Sequence, residues 1–313
     1  MQGQIRIAFA GTPAFAVPTL ERLHAAGAHV GLVLSQPDRP AGRGQKSAAP
    51  PVKVAALARG LHCEQPADLR DPTLLARFDF VPDVLVVVAY GLLLPKSMLD
   101  WPRVAAVNVH ASLLPRWRGA APIQHALLAG DAETGISVTR MEAGLDRGPV
   151  YATRALEIRS RDTAADLHDR LAPLGADLLV ELLPRILAGS LEPAQQDESR
   201  ASYAPKIEKA AAALDWTEEA RALERRVRAF NPWPVAEART DDGRRLRIWQ
   251  AEVVAAAASA PPGTVVAAGP KGIDVATSRD VLRLEIVQPP GAKPMSAAAY
   301  LAAHRLDGAR FAS

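Results

Sequence analysis

The sequence predicts an α/β fold, a Rossmann-like, doubly wound and mostly parallel sheet, followed by a small OB-like antiparallel β-barrel. Three observations carry this. Residues 5–10, 29–34, 84–88 and 105–109 are continuous apolar runs, the pattern of strands buried on both faces. Helical segments fall between them, and strand–helix alternation implies a parallel sheet with right-handed crossovers. Beyond Val235 the pattern changes to short strands divided by Asp-Gly, Pro-Gly and Lys-Gly turns, as in a small antiparallel barrel.

The elements follow in order. The first strand, 5–10, ends at Gly11-Thr12-Pro13, and 14–26 reads as a helix with Phe15, Leu20 and Leu23 on one side. The second strand, 29–34, is followed by helical segments near 52–59 and 72–78, and a further one at 122–128 follows the strand at 105–109. Two more strand-like runs, 135–141 and 150–157, enclose EAGLDRGP, whose glycines and proline make a loop around Asp146. A long amphipathic helix spans 163–187, and 189–203 is polar and linker-like. A helix at 217–230 carries Glu218 and Glu219 in its first turn and Arg225, Arg226 and Arg228 near its end. That order suits the helix dipole and also leaves an RNA-binding reading open. Strands are expected at 236–240, 246–251, 264–267, 273–276 and 281–287, with a closing helix at 296–306.

At 313 residues the chain exceeds the size at which one core keeps growing. The expected division is a catalytic domain over 1–189, a linker over 190–205 and a second domain over 206–313. The single cysteine, Cys63, excludes an internal disulfide framework and fits a reducing cytosol. The amino terminus enters a strand directly, and no apolar run approaches the roughly 20 residues that cross a bilayer. A soluble, cytoplasmic protein without a membrane association is expected, and a monomer is the simpler assembly. The net charge of +3 lies wholly in 206–313, where 16 Lys and Arg meet 13 Asp and Glu. Such a bias is compatible with a polyanionic partner or with a solvated basic surface.

The stretch AAVNVHASLLPRWRGAAPIQ at 105–124 is where chemistry is expected. In a strand Asn108 and His110 share one face, and an amide beside an imidazole is costly to bury unless partnered or used. Ligands on doubly wound sheets bind outside the carboxyl ends of the strands, where this pair falls. Asp146 completes a trio in which an imidazole exchanges a proton, a carboxylate orients it or takes one, and an amide donates to a developing oxyanion. Satisfied polar core residues are the competing account of the same pattern. The first strand–helix turn has one glycine where a dinucleotide fingerprint has three, so Gly11 is expected to serve a tight turn. Ser112 lies in no nucleophile elbow, and His110 lacks His or Cys neighbours at metal-ligand spacing, so no metal is expected. Direct attack on a carbonyl by a substrate nucleophile remains.

AVNVHASLLPRWRGAAPIQ, with MEAGLDRG downstream, resembles the signature of the folate-dependent formyltransferases. SQPDRPAGRGQK at 35–46 and AFNPWP at 229–234 resemble the branch of that family acting on methionyl initiator tRNA. The similarity covers essentially the whole chain and implies an OB-like carboxy-terminal domain that binds tRNA. Ala111 stands where the family commonly has Gly, and Arg147 where it commonly has Thr.

What the resemblance implies is formyl transfer from 10-formyltetrahydrofolate to the α-amino group of methionine esterified to initiator tRNA, with no covalent enzyme intermediate. It assigns Asn108, His110 and Asp146 as catalytic. Ser112, Leu113, Leu114 and Pro115 are implied folate contacts, and the segment holding Val88, Tyr90 and Gly91 an implied lining of the pterin pocket. Arg39, Arg43 and Lys46 lie on a cationic loop that in the family meets the tRNA acceptor end, Arg43 foremost. Arg116 and Arg118, which bracket Trp117, are open between phosphate or folate-tail contacts and solvated charges. Two rivals remain: a formyltransferase with a small acceptor of the glycinamide ribonucleotide kind, and a non-catalytic RNA-binding module that would not need the trio.

Overall fold

The computed structural model describes residues 5–41, 46–256, 260–306 and 308–312. Its first strands are β1 (Arg6–Gly11), β2 (His29–Leu34), β3 (Arg39–Ala41), β4 (Lys46–Ala48), β5 (Cys63–Glu64), β6 (Val84–Val88) and β7 (Ala105–His110). They are followed by β8 (Arg118–Gly119), β9 (Glu133–Arg140), β10 (Val150–Glu157) and β11 (Tyr203–Ala204). The main sheet runs β10-β9-β7-β6-β1-β2-β5, with β5, β2, β1, β6 and β7 parallel and β9 and β10 antiparallel. This is the expected doubly wound arrangement. β6 is buried along its whole length, as a strand covered on both faces must be.

Helices α1 (Val17–Ala25), α2 (Pro51–Leu57), α3 (Lys96–Leu99) and α4 (Pro122–Ala129) connect the strands, and α5 (Ala164–Leu187) follows β10. The start of α5 is set by a reciprocal cap: Asp166 N donates to Thr163 Oγ1 (3.3 Å) while Thr163 N donates to Asp166 Oδ2 (2.9 Å). Gly175 lets α5 lie close against β7, since a Cβ there would be 2.7 Å from Val109 Cγ1. Gly11 ends β1 and serves a close approach rather than the expected tight turn: a Cβ would fall 2.8 Å from Ala16 Cβ and 3.1 Å from the Val88 carbonyl oxygen.

Three expected elements come out shorter. Residues 72–78 hold only a 3-10 turn at Leu75–Arg77, because Asp71 takes Thr73 N and the Arg77 guanidinium into a local turn. The first expected helix opens with a 3-10 turn, Ala14–Ala16, ahead of α1. The cationic loop does not begin at residue 35: Ser35 is fully buried and Gln36 nearly so, because both continue β2 into the core.

Contacts divide the chain into two units, one of residues 1–122, 133–157 and 168–204, the other of 123–132, 158–167 and 205–313. The second unit holds α6 (Ala220–Ala229), β12 (Ala236–Thr240), β13 (Arg245–Val254), β14 (Val265–Gly269), β15 (Gly272–Ala276), β16 (Val281–Gln288), β17 (Met295–Ser296), α7 (Ala297–Leu301) and β18 (Phe311–Ala312). Its antiparallel sheet runs β14-β15-β16-β13-β12-β18. The ends meet, since Phe311 N donates to Gly263 O (2.8 Å) and Val265 N to Ala309 O (2.9 Å), curling the sheet into the expected OB-like barrel. Trp216 and Phe311 stack at 5.4 Å within its core.

α6 starts three residues later than expected and has no acidic residue in its first turn. Glu218 instead pairs with Arg226 (2.8 Å), Glu224 with Arg228, and Arg225 donates to Ala129 O (3.3 Å). The basic cluster of this helix is therefore engaged within its own unit. The closing helix, expected over 296–306, is the short α7.

Cys63 lies half-buried in β5, and burial pushes its thiol up to about 11. A raised value means less thiolate at pH 8, by ~100-fold against an ordinary thiol. Alkylation by iodoacetamide at pH 8 should be slow in the native protein and accelerate on unfolding in urea. Equal rates in both states would contradict the burial.

Candidate active site

β7 supplies Asn108 and His110, and its register with β9 (Asn108 opposite Thr139, His110 opposite Ser137) decides what surrounds them. His110 Nε2 lies 2.7 Å from the Trp117 carbonyl oxygen. A carbonyl only accepts, so Nε2 carries the proton and donates. Nδ1 is left facing Asp146, 3.6 Å from Oδ1, outside hydrogen-bond range. Asn108 Nδ2 lies 3.4 Å from the same oxygen. Gly119 N donates to Oδ2 at 2.8 Å. The carboxylate is thus held by one oxygen while the other faces both the amide and the imidazole. His110 and Asp146 side chains are only 8% and 12% exposed, so these groups meet in a place largely withdrawn from water.

Asp146 adopts φ +52°, a left-handed conformation uncommon for a residue with a side chain. The loop around it depends on Gly148, where a Cβ would lie 1.8 Å from the Arg140 carbonyl oxygen. Gln196 Nε2 donates to the carbonyls of Asp146 (2.8 Å) and Gly148 (2.7 Å), fixing the loop from outside.

The segment after His110 is folded by hydroxyls. Ser112 Oγ accepts from Trp117 N and donates to Trp117 O, both at 3.0 Å. Ser137 Oγ donates to Ser112 O (2.7 Å) and accepts from Leu114 N (2.9 Å). Ser112 and Leu114 are buried in this turn, whereas Leu113 and Pro115 are half-exposed. Of the segment containing Val88, Tyr90 and Gly91, the side chains of Val88 and Tyr90 are buried, and Tyr90 packs in the core with Leu34, Leu69 and Met98. Its carbonyl accepts from Thr12 Oγ1 and Gln36 Nε2, both at 2.8 Å. Gly91, at φ +84°, is exposed and leads into the exposed Leu92 and Leu93.

Arg39 is exposed and donates to Gln36 Oε1 at 2.5 Å. Arg43 and the side chain of Lys46 lie outside the described residues. Arg116 stacks on the Trp117 ring at 3.9 Å. Arg118 is neither a solvated charge nor a phosphate contact in this structure: it is fully buried, with its guanidinium on Gln196, Glu198 and Tyr203. Sequence reasoning missed Ser137 and Gln196. A serine within a strand and a glutamine in a polar linker carry no local signal of what they reach. Among the described residues no cluster of three or more His, Cys, Asp or Glu is placed to hold a metal ion, and no helix is long and apolar enough to cross a membrane.

An amide, an imidazole and a carboxylate thus meet at the carboxyl end of a doubly wound sheet, the place where α/β enzymes bind their ligands. The sequence matches the formyl transferase family over residues 5–183 and the formyl transferase C-terminal domain over 206–305, and the chain belongs to that family. It is 55% identical over 307 residues to the methionyl-tRNA formyltransferase of Methylococcus capsulatus, covering 98% of this chain and 99% of that one. Identity to the enzyme of the same name from Nitrosococcus oceani is 52% over 302 residues, 96% and 93% of the two chains. Among solved structures the fold is shared with WlaRD, a sugar 3N-formyl transferase, at a TM-score of 0.68 and 16% identity, over 93% of this chain and 99% of that one. HypX from Aquifex aeolicus, solved with tetrahydrofolic acid, shares it at 0.65 and 17%, over 96% of this chain and 47% of that one.

Ser137 is fully buried and serves two backbone groups at once. Ser137→Ala strands both, and should cost about 1–3 kcal/mol of stability by urea denaturation with an unchanged m-value. A loss under about 0.5 kcal/mol, typical of inert surface positions, would mean the turn is held elsewhere.

Proposed function

We propose that the chain transfers the formyl group of 10-formyltetrahydrofolate to the α-amino group of methionyl initiator tRNA. The observation that carries this reading is the convergence of Asn108 Nδ2 and His110 Nδ1 on one oxygen of Asp146. Near-full-length similarity to methionyl-tRNA formyltransferases supports the choice of acceptor. The donor supplies an activated formyl carbonyl, and the side chains present suit it. Among the described residues the Asn108 amide makes one long contact, leaving donor capacity for a carbonyl oxygen, and Nδ1 of His110 becomes a second donor once it has taken the proton of the attacking amine. As negative charge grows on that oxygen, each well-placed donor contributes roughly 3–4 kcal/mol.

The attacking amine must shed a proton. An ordinary α-amino group titrates near 7.7–8.0 and esterification lowers this, so a weak base suffices. Asp146 Oδ1 and His110 Nδ1 face the same space and pass that proton from the amine to N10 of the folate, which leaves as tetrahydrofolate when its bond to the formyl carbon breaks, while the Nε2–H bond to Trp117 keeps the opposite ring nitrogen out of the exchange. Ser112, Leu113, Leu114, Pro115 and the backbone around Val88, Tyr90 and Gly91 would hold the folate. Arg39, Arg43 and Lys46 would meet the acceptor end of the tRNA, and the unit containing residues 206–313 would bind its body. A cytoplasmic monomer with a catalytic domain over 1–189 and a linker over 190–205 fits this activity.

Incubation with 10-formyltetrahydrofolate and either methionyl initiator tRNA or glycinamide ribonucleotide tests the reading. Formyl-methionyl-tRNA should form, and absence of transfer to charged tRNA would sink it. Asn108→Ala should lower kcat about 10²–10³-fold, as loss of one oxyanion donor does elsewhere. Asp146→Ala should abolish turnover with tRNA binding retained. Arg43→Ala should instead weaken tRNA binding and flatten its salt dependence by about one unit of log–log slope. Equal binding losses in the two variants would contradict that division of roles.

A further inference from the structure

The Arg118 guanidinium has five N–H donors and all five are used. Nε and Nη2 donate to Gln196 Oε1 (3.1 and 2.9 Å). Nη2 and Nη1 donate to the two oxygens of Glu198 (2.8 and 3.0 Å), and Nη1 reaches the Tyr203 hydroxyl at 3.5 Å. The Glu198 carboxylate beside it holds the Arg118 guanidinium more firmly protonated than usual. A fully buried cation with every proton placed is a fixed point of the structure rather than a surface charge.

The amide of Gln196 is the next link. Its oxygen takes two hydrogen bonds from Arg118, and its nitrogen gives two, to the carbonyls of Asp146 and Gly148. The cation polarises the amide and strengthens donation from the far end. Arg118 also acts through the main chain. Its N donates to Ser202 O (2.8 Å), which sets β8 beside β11, and the next residue, Gly119, gives its N–H to Asp146 Oδ2. Gly119 tolerates no side chain there, since it sits at φ +111° with Ala204 O 2.6 Å from any Cβ. Asp146 is therefore gripped at its carbonyl through Gln196 and at its carboxylate through Gly119, and both grips originate at residues 118 and 119. A residue held at φ +52° persists only when its surroundings over-determine it.

We infer that Arg118 and Gln196 are positioning residues for formyl transfer, a clamp that holds Asp146 Oδ1 in register with His110 Nδ1 and Asn108 Nδ2. This rests on the proposed function. The clamp touches neither the amide nor the imidazole, so its loss should leave ground-state binding and change only how the carboxylate meets the other two groups.

Gln196 is the residue to test, being only half-buried and outside the core. Gln196→Met keeps length and volume but loses all four hydrogen bonds. Gln196→Glu keeps the Arg118 contact and puts a carboxylate against two carbonyls. With wild-type enzyme as reference, both variants should lower kcat by about 10–100-fold, KM for methionyl-tRNA and for 10-formyltetrahydrofolate staying within about twofold. The pH profile of kcat should shift in both, because the proton-passing pair is displaced. Inactive wild type would overturn the proposed function itself. An active wild type with kcat of both variants within twofold, or a kcat loss in both that only follows a loss of folded protein by circular dichroism, would overturn the clamp while leaving the function intact.

Discussion

The hydrogen bond from His110 Nε2 to the Trp117 carbonyl is the constraint on which the rest of the site depends. It fixes the tautomer, and with it the only ring nitrogen free to exchange a proton. For that bond to exist, the chain must double back within seven residues. Ser112 closes the turn onto Trp117, and Ser137, directly across from His110 on β9, ties down Ser112 and Leu114. An antiparallel β9 beside β7 in an otherwise parallel sheet is what brings that serine into reach. The departure from pure parallel topology thus has a consequence at the chemistry.

Much of this was legible. Period-two spacing put Asn108 and His110 on one strand face, and the glycines around Asp146 marked its loop. The apolar runs located the central strands because strands buried on both faces leave no alternation to misread. What escaped reading was long-range. Arg118 looks like a surface cation because arginine is rarely fully buried unless it is paired. Its acceptors lie about 80 residues on, in a stretch whose composition is that of a linker. Gln36 escapes the sequence for a related reason: a polar residue at a strand end is buried when the backbone beyond it offers a partner, here the Tyr90 carbonyl, and Ser35 is carried in with the strand through its own N–H on Glu64 O. Helix starts depend on which competing local bond wins, and before α6 Glu218 pairs forward with Arg226 rather than lying in its first turn.

In the second unit the charge excess leaves a polyanionic partner and a solvated basic surface both open, and several arginines are committed to internal partners. Arg283 bridges Asp274 and Glu252, Arg226 pairs with Glu218, and Arg228 pairs with Glu224. Formal charge counted along a sequence overstates what a surface offers to a partner, because paired cations present little net field. In the proposed function, the contribution of this unit to tRNA binding falls to cations outside these pairs.

The two halves of the trio are held by different means. Asn108 and His110 sit on a central strand, where burial and ladder hydrogen bonds fix the backbone, and the Trp117 carbonyl adds a hold on the imidazole. Asp146 sits on a loop, where neither applies. A loop aspartate at positive φ would sample many positions if only its own side-chain contacts restrained it, and those to Asn108 and His110 are long. Precision at the carboxylate must come from stiff groups beyond the reacting ones. Gly148 allows the chain to pass against the Arg140 carbonyl, Gly119 presents an N–H, and Gln196 presents an amide braced by a buried cation. Long contacts within the trio follow from the same logic. Under the proposed mechanism, a carboxylate bonded tightly to the imidazole would fill the space that a substrate carbonyl and an attacking amine must share. Holding Asp146 from behind keeps that space open while leaving its geometry defined.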